Sequence, residues 1–188
     1  MSRSEGAALR FGRVALRPAL PGDAERLAPW FAETWRDVRG VSSRTVTPPD
    51  PEDWLAERDD GETRLLIAVD QDAVGLIHFD FDRGDCMIHE LGVRPERRNL
   101  GFGSEAVFAV EAMALQSGRS HAVAPVPLAN GLAIYFWLRI GYCPRYPGGD
   151  PPSGFTLMAR DLGAPPVAAR ENGSRTAVPK PGAPAPRR

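Results

Sequence analysis

Two cysteines, Cys86 and Cys143, are too few to make a disulfide scaffold of a chain of 188 residues. Long apolar runs are missing too, so nothing approaches the length that crosses a bilayer. The first stretch, MSRSEGAALRFGR, lacks the apolar segment of a secretory leader. These absences give the expectation of a cytoplasmic protein in a reducing compartment, with no membrane partner. A strong charge of one sign is also lacking. The formal net charge is −1, so no whole-chain basic field draws nucleic acid. That balance conceals an asymmetry. Beyond residue 162, Arg170, Arg175, Lys180, Arg187 and Arg188 face Glu171 alone, which leaves the body mildly acidic.

What is present is ordinary for a globular domain: 43% hydrophobic and 25% charged residues, enough for one real core. Residues 1–12 read as a loose lead-in and 13–162 as the domain. From 163 to 188 the composition turns to Pro, Ala, Gly and Arg without periodicity. Such a segment buries too little apolar surface to offset its ordering entropy, so it reads as disordered. Arg13–Leu20 reads as a strand ending at Pro21-Gly22. Asp23 is placed to cap a helix, with Pro29 expected to break or kink it. A short helix is expected around Pro51–Arg58. Strands follow at Thr63–Asp70, Val74–Asp82 and Cys86–Val93. Then come a glycine loop, a helix from about Ser104 to Ser117 stopped at Gly118, a strand in HAVAPV, and a short helix capped by Asn130. GYCPRYP and GFTLMARDL supply late strands. A meander feeding a βαβ-like end predicts an α/β fold, with a mixed, mostly antiparallel central sheet flanked by helices.

The stretch VRPERRNLGFGSEAV, Val93–Val107, carries the chemistry. Gly101 and Gly103 let backbone approach phosphates closely. The following helix N-terminus adds amide donors, and Arg94, Arg97 and Arg98 add positive charge. GFGSEA fits the relaxed dinucleotide fingerprint, G-x-G-x-x-A. However, Arg94–Leu100 separate the strand end from the first glycine, and HAVAPV offers no acidic residue for a ribose. A nucleoside-triphosphate loop fails because no Lys-Ser/Thr pair follows the glycines.

The whole stretch resembles the acyl-CoA-binding motif of the GNAT superfamily of N-acetyltransferases, R/Q-x-x-G-x-G/A. Here it is Arg98-Asn99-Leu100-Gly101-Phe102-Gly103, preceded by Val93-Arg94-Pro95. A second block agrees in order and spacing: Asn130, Ala133, Trp137, Gly141 and Tyr142 in NGLAIYFWLRIGY. The resemblance implies an acyl-CoA N-acyltransferase fold. It further implies an acetyl group passed from acetyl-CoA to a primary amine by direct attack in a ternary complex.

By resemblance, the strand before the glycine loop splays from its neighbour, and the backbone of Leu91, Gly92 and Val93 holds the pantetheine arm and polarises the thioester carbonyl. Arg98, Asn99, Leu100, Gly101, Phe102, Gly103 and Ser104 are implied for the pyrophosphate, and Asn130 and Trp137 for the arm. Glu90, opposite in parity to Leu91, is the candidate general base. His78 and His89 are alternatives, and His121 reads as structural. Relatives often place a tyrosine acid where this chain has Trp137, whose indole N–H is a donor but no practical acid. Tyr135 reads as core with Ile134 and Leu138, and Tyr142 is a weak substitute. Trp30, Trp35, Arg36, Trp54, Asp80 and Asp82 fall where the family builds its acceptor site, and the acids suit a cationic amine. The reading includes no metal, and a monomer or homodimer. The rival is a degenerate member that binds acyl-CoA as a sensor or scaffold without turnover.

Overall fold

The computed structural model describes residues 8–40, 47–56, 61–81, 84–144 and 153–163. The expected tail from 164, Asp82, and the ends of several expected loops lie outside the described residues. Eight strands form one sheet in the order β1-β2-β3-β4-β5-β6-β8-β7. They are β1 Leu9–Phe11, β2 Val14–Arg17, β3 Thr63–Val69, β4 Asp72–Asp80, β5 Cys86–Val93, β6 His121–Pro127, β7 Cys143–Pro144 and β8 Phe155–Asp161. All neighbours run antiparallel except β5 and β6. Helices α1 (Asp23–Arg39) and α2 (Pro51–Leu55) cover one face, and α3 (Phe102–Gln116) and α4 (Gly131–Arg139) cover the other.

The two faces have separate cores. Leu27, Trp30, Phe31 and Trp54 pack on Leu66, Ala73 and Leu76 beneath α1 and α2. Val14, Leu16, Ile67, Ile77, Phe79 and Ile88 pack beneath Phe102, Val107, Val110 and Trp137 on the opposite side. Strand alternation produces both sets at once, because successive side chains leave opposite faces of the sheet.

Three local expectations are corrected. The lead-in is ordered from Leu9, where β1 pairs with β2 around Gly12, whose φ is 58°. The strand expected over Arg13–Leu20 is therefore the shorter second arm of a hairpin. Helix α1 runs uninterrupted through Pro29. Pro29 sits on the exposed side of the helix, while Leu27, Trp30, Phe31 and Thr34 anchor it on its buried side. Asp23 does not cap that helix. Gly22 occupies the cap position, and the buried Asp23 carboxylate accepts from Arg17 and from the Leu20 amide. Burial alone would raise the Asp23 pKa, but these hydrogen bonds and the Arg17 charge outweigh it and hold the group below 3.8.

Gly118 does stop α3 as expected. Its φ is 75°, its amide bonds Leu115 O at 3.0 Å, and the Arg119 amide bonds Ala114 O at 2.9 Å.

Candidate active site

A β-bulge in β5 decides how the site is built. His78 pairs with Glu90 while the next residue, Phe79, pairs with Ile88, which leaves His89 as the extra residue. The bulge resets the alternation. Cys86 and Ile88 belong to the α3 core and Leu91 and Val93 pack against the same core, whereas Glu90 and Gly92 face α1 and α2. The parallel partner β6 meets β5 only at Cys86–Ala122 and Met87–Val123. Beyond Met87 no further β5–β6 pair forms, so the two strands part.

A groove of about 990 Å³ opens in that region. Leu91, Gly92 and Val93 line it from β5, Thr34, Arg36, Asp37, Val38 and Gly40 from α1 and its C-terminal cap, and Asn130, Leu132, Ala133, Tyr135, Phe136, Trp137 and Arg139 from α4 and its cap. Arg97, Arg98, Asn99, Gly101, Phe102, Gly103 and Ser104 close one end. The loop there needs left-handed backbone at Asn99, φ 61°, and Gly101, φ 89°. Gly101 is the cap of α3, so the first amides of that fifteen-residue helix have no intrahelical acceptor and carry its positive dipole end. That combination holds anions. Gly103 sits against Phe136 and Val93, where an added Cβ would lie 3.6 Å from each.

Arg98 and Asn130 also do structural work. Arg98 Nε donates to Val93 O at 2.9 Å, and its guanidinium pairs with Asp37 at 2.8 Å. Asn130 caps α4 by accepting from the Ala133 amide at 3.0 Å and donates to Asp37 O at 2.8 Å. Both residues tie the end of α1 to the groove. Sequence reasoning missed Arg13, which does the same for the glycine loop. It donates to Leu100 O at 2.6 Å, pairs with Glu105, and lies over the Phe102 ring at 4.9 Å. No spacing rule links it to the loop, because the contact depends on β1–β2 folding against α3.

Leu100 and Glu90 lie outside the groove lining. Leu100 is half exposed and contributes its carbonyl to Arg13. Glu90 is buried behind the groove wall, on the α1 face. Its Oε1 accepts from Arg39 Nε at 2.8 Å, and its Oε2 accepts from Trp54 Nε1 at 2.8 Å. His78 Nδ1 stands 3.8 Å from Glu90 Oε2, and His78 Nε2 lies 2.9 Å from Glu62. Burial, then the Arg64 charge, push the His78 pKa below 6.5 despite the nearby carboxylates, so its ring is neutral near pH 7. The His89 ring lies tilted beside that of His78, centroids 4.8 Å apart, and is bonded to Asp80.

The aromatic assignments change most. Trp30 and Trp54 are core residues. Trp137 is 6% exposed and packs edge-on against Tyr142 and Phe136, with one part reaching the groove. Tyr135, expected in the core with Leu138, is instead 64% exposed and lines the groove, and Leu138 is half exposed. Helix α4 is short and lies at the groove mouth, so its apolar residues exceed what one face can bury. Tyr142 is fully buried, bonds Glu111 at 2.9 Å and does not line the groove.

A parted parallel strand pair, a glycine turn and a helix N-terminus around one groove agree with a family-model match to "Acetyltransferase (GNAT) family" over residues 24–142. The chain belongs to the acetyltransferase (GNAT) family. It is thus a member of a family of acyl-group transferases. Solved GNAT structures share the fold at low identity. The PaiA N-acetyltransferase of Thermoplasma acidophilum, solved with coenzyme A, is 16% identical with a TM-score of 0.61, covering 79% of this chain and 98% of its own. The GNAT acetyltransferase of Bacillus anthracis is 15% identical, TM-score 0.65, with coverages of 83% and 99%. The GNAT domain of S. lividans PAT is 16% identical, TM-score 0.63, with coverages of 86% and 99%. No curated protein has a matching sequence. Among the described residues no helix is long and apolar enough to cross a membrane.

Proposed function

We propose that this GNAT member is an N-acetyltransferase that moves an acetyl group from acetyl-CoA to a primary amine of a small molecule or protein in the cytoplasm. The parting of β5 from β6 beside an anion-holding helix terminus carries the reading. The loop amides from Asn99 to Ser104 and the charge of Arg98 would hold the pyrophosphate, with Leu100 serving through backbone. The backbone of Leu91–Val93 would hold the pantetheine arm, with Asn130 and Trp137 along its other side. The protein's amides there would stabilise charge building on the thioester oxygen. The amine nitrogen attacks the carbonyl carbon, the C–S bond breaks, and the sulfur leaves with the bonding pair. The amine's proton passes to a base, for which we propose Glu90.

One observation favours a second base. Both Glu90 oxygens already accept hydrogen bonds, from Arg39 and Trp54, and Glu90 lies outside the groove lining. His89 is 30% exposed, and its Nε2 is bonded to the Asp80 carboxylate. Glu90→Gln separates the two. A loss of kcat/KM of about a hundredfold or more assigns the proton to Glu90. An unchanged pH profile moves it to His89.

Asp80 and the acidic body of the chain support a cationic acceptor, and a monomer or homodimer with no nucleic-acid or membrane partner fits the charge pattern. The first test is a thermal shift with acetyl-CoA, CoA and NAD. A ligand at a hundred times its Kd adds about 2.7 kcal/mol of apparent stability. Shifts with both coenzyme A forms but not NAD are expected, and a chain that responds to neither overturns the reading. The buried Trp137 in place of an acidic tyrosine favours a binding-only sensor. Thiol release from acetyl-CoA with any amine of a panel excludes that alternative.

A further inference from the structure

We propose that Glu62, His78 and His89 form a binding site for a divalent transition-metal ion of the zinc class, on the α1 face and outside the acyl-CoA groove. This departs from the metal-free expectation. One ligand atom from each of the three residues lies within 4.8 Å of the others. Zinc–nitrogen bonds of about 2.0–2.1 Å in tetrahedral geometry ask for ligand atoms roughly 3.3 Å apart, so the widest pair must close by up to roughly 1.5 Å. Two imidazoles and a carboxylate are a donor set that zinc accepts, with a coordination position left for water.

The fold builds the cluster deliberately. Regular alternation would send His89 to the face opposite Glu90, but the β5 bulge keeps its ring beside that of His78, centroids 4.8 Å apart. Glu62, just ahead of β3, brings its Oε2 to 2.9 Å from His78 Nε2. The far side of the His78 ring is the independent observation. His78 is 6% exposed, and its buried Nδ1 has no hydrogen-bond partner. That nitrogen faces Glu90 Oε2 at 3.8 Å, and Glu90 is fixed by Arg39 and Trp54. A closing of roughly 1 Å would let that nitrogen donate to the anchored carboxylate, the outer-shell arrangement of a metal-binding histidine. Asp80 supplies a further carboxylate at His89 Nε2. Side-chain exposures of 30% for His89 and 29% for Glu62 leave an entry path.

Arg64 opposes the ion, because its guanidinium pairs with Glu62. It must give way, which supplies a variant that moves affinity upward. The test is Zn2+ titration of the metal-free full chain against a chromophoric chelator, with thermal melts of each apo variant. One equivalent is expected to bind. His89→Gln and Glu62→Gln should each weaken Kd by about a hundredfold or more, beyond the 10–100-fold typical of outer-shell losses. Arg64→Leu should tighten it. No stoichiometric binding, or a Kd unmoved by both His89→Gln and Glu62→Gln, overturns the proposal, since the ion would then sit elsewhere. The readout is metal occupancy rather than acetyl transfer, and an ion held by His89 would leave the proton to Glu90 and not to His89.

Discussion

Gly92→Ala tests how closely α1 is seated on the parted strand. A Cβ at Gly92 would lie 2.4 Å from Thr34 Cγ2 and 3.4 Å from Val38 Cγ2. Carbon atoms prefer about 3.5–4.0 Å, so the Thr34 contact must open by more than 1 Å. Thr34 is 1% exposed and β-branched, so another rotamer only exchanges one heavy atom for another. Overpacking of this sort costs about 1–3 kcal/mol. For a chain of this length that lowers Tm by about 2–12 °C, at 2–4 °C per kcal/mol. Both residues line the groove, so acetyl-CoA affinity should fall along with stability. Thr34→Ser removes the obstructing methyl. The double variant should recover about 1 kcal/mol relative to additivity, within the range for residues in contact. The assay is a set of four melts with matched acetyl-CoA titrations. A Gly92→Ala chain melting within a degree of wild type, or a double variant no better than the single, refutes the close seating.

Gly101→Ala forces a side chain into backbone of φ 89° and brings its Cβ to 3.1 Å from Arg13 Nη2. It should cost about 1–2 kcal/mol in melts, and also weaken coenzyme A binding by calorimetry. Gly118→Ala meets nothing within 4 Å at φ 75°, so it should cost a similar strain without touching the ligand. Asp23 has its pKa lowered from 3.8, so its contribution to stability is present above pH 3.8 and is lost as pH falls through the lower folded value. Asp23→Asn should therefore be less stable than wild type at pH 7, and should lose less on acidification below pH 3.8, in urea titrations at each pH.

The strand character of TRLLIAV and CMIHELGV and the glycine turn were legible because they are short-range properties of the chain. The same holds for the cap at Asn130 and the stop at Gly118. The family was legible because two blocks, around Gly101 and around Asn130, agreed in order and spacing. Pro29 misled because its cost depends on whether the freed carbonyl meets water, which is a property of the packed helix. Tyr135 misled because periodicity assigns a face without saying whether anything covers it.

By itself the sequence determined most of the elements, the glycine turn ahead of α3 and the family of acyl-group transferases to which the chain belongs. Only the tertiary structure decided which carboxylates and rings meet. Glu90 is enclosed by Arg39 and Trp54, residues 51 and 36 positions away in the chain. The His78–His89 pair exists because one unpaired residue resets the pleat of β5. Such contacts depend on strand register and helix docking, and residues so far apart leave no local pattern that would announce them.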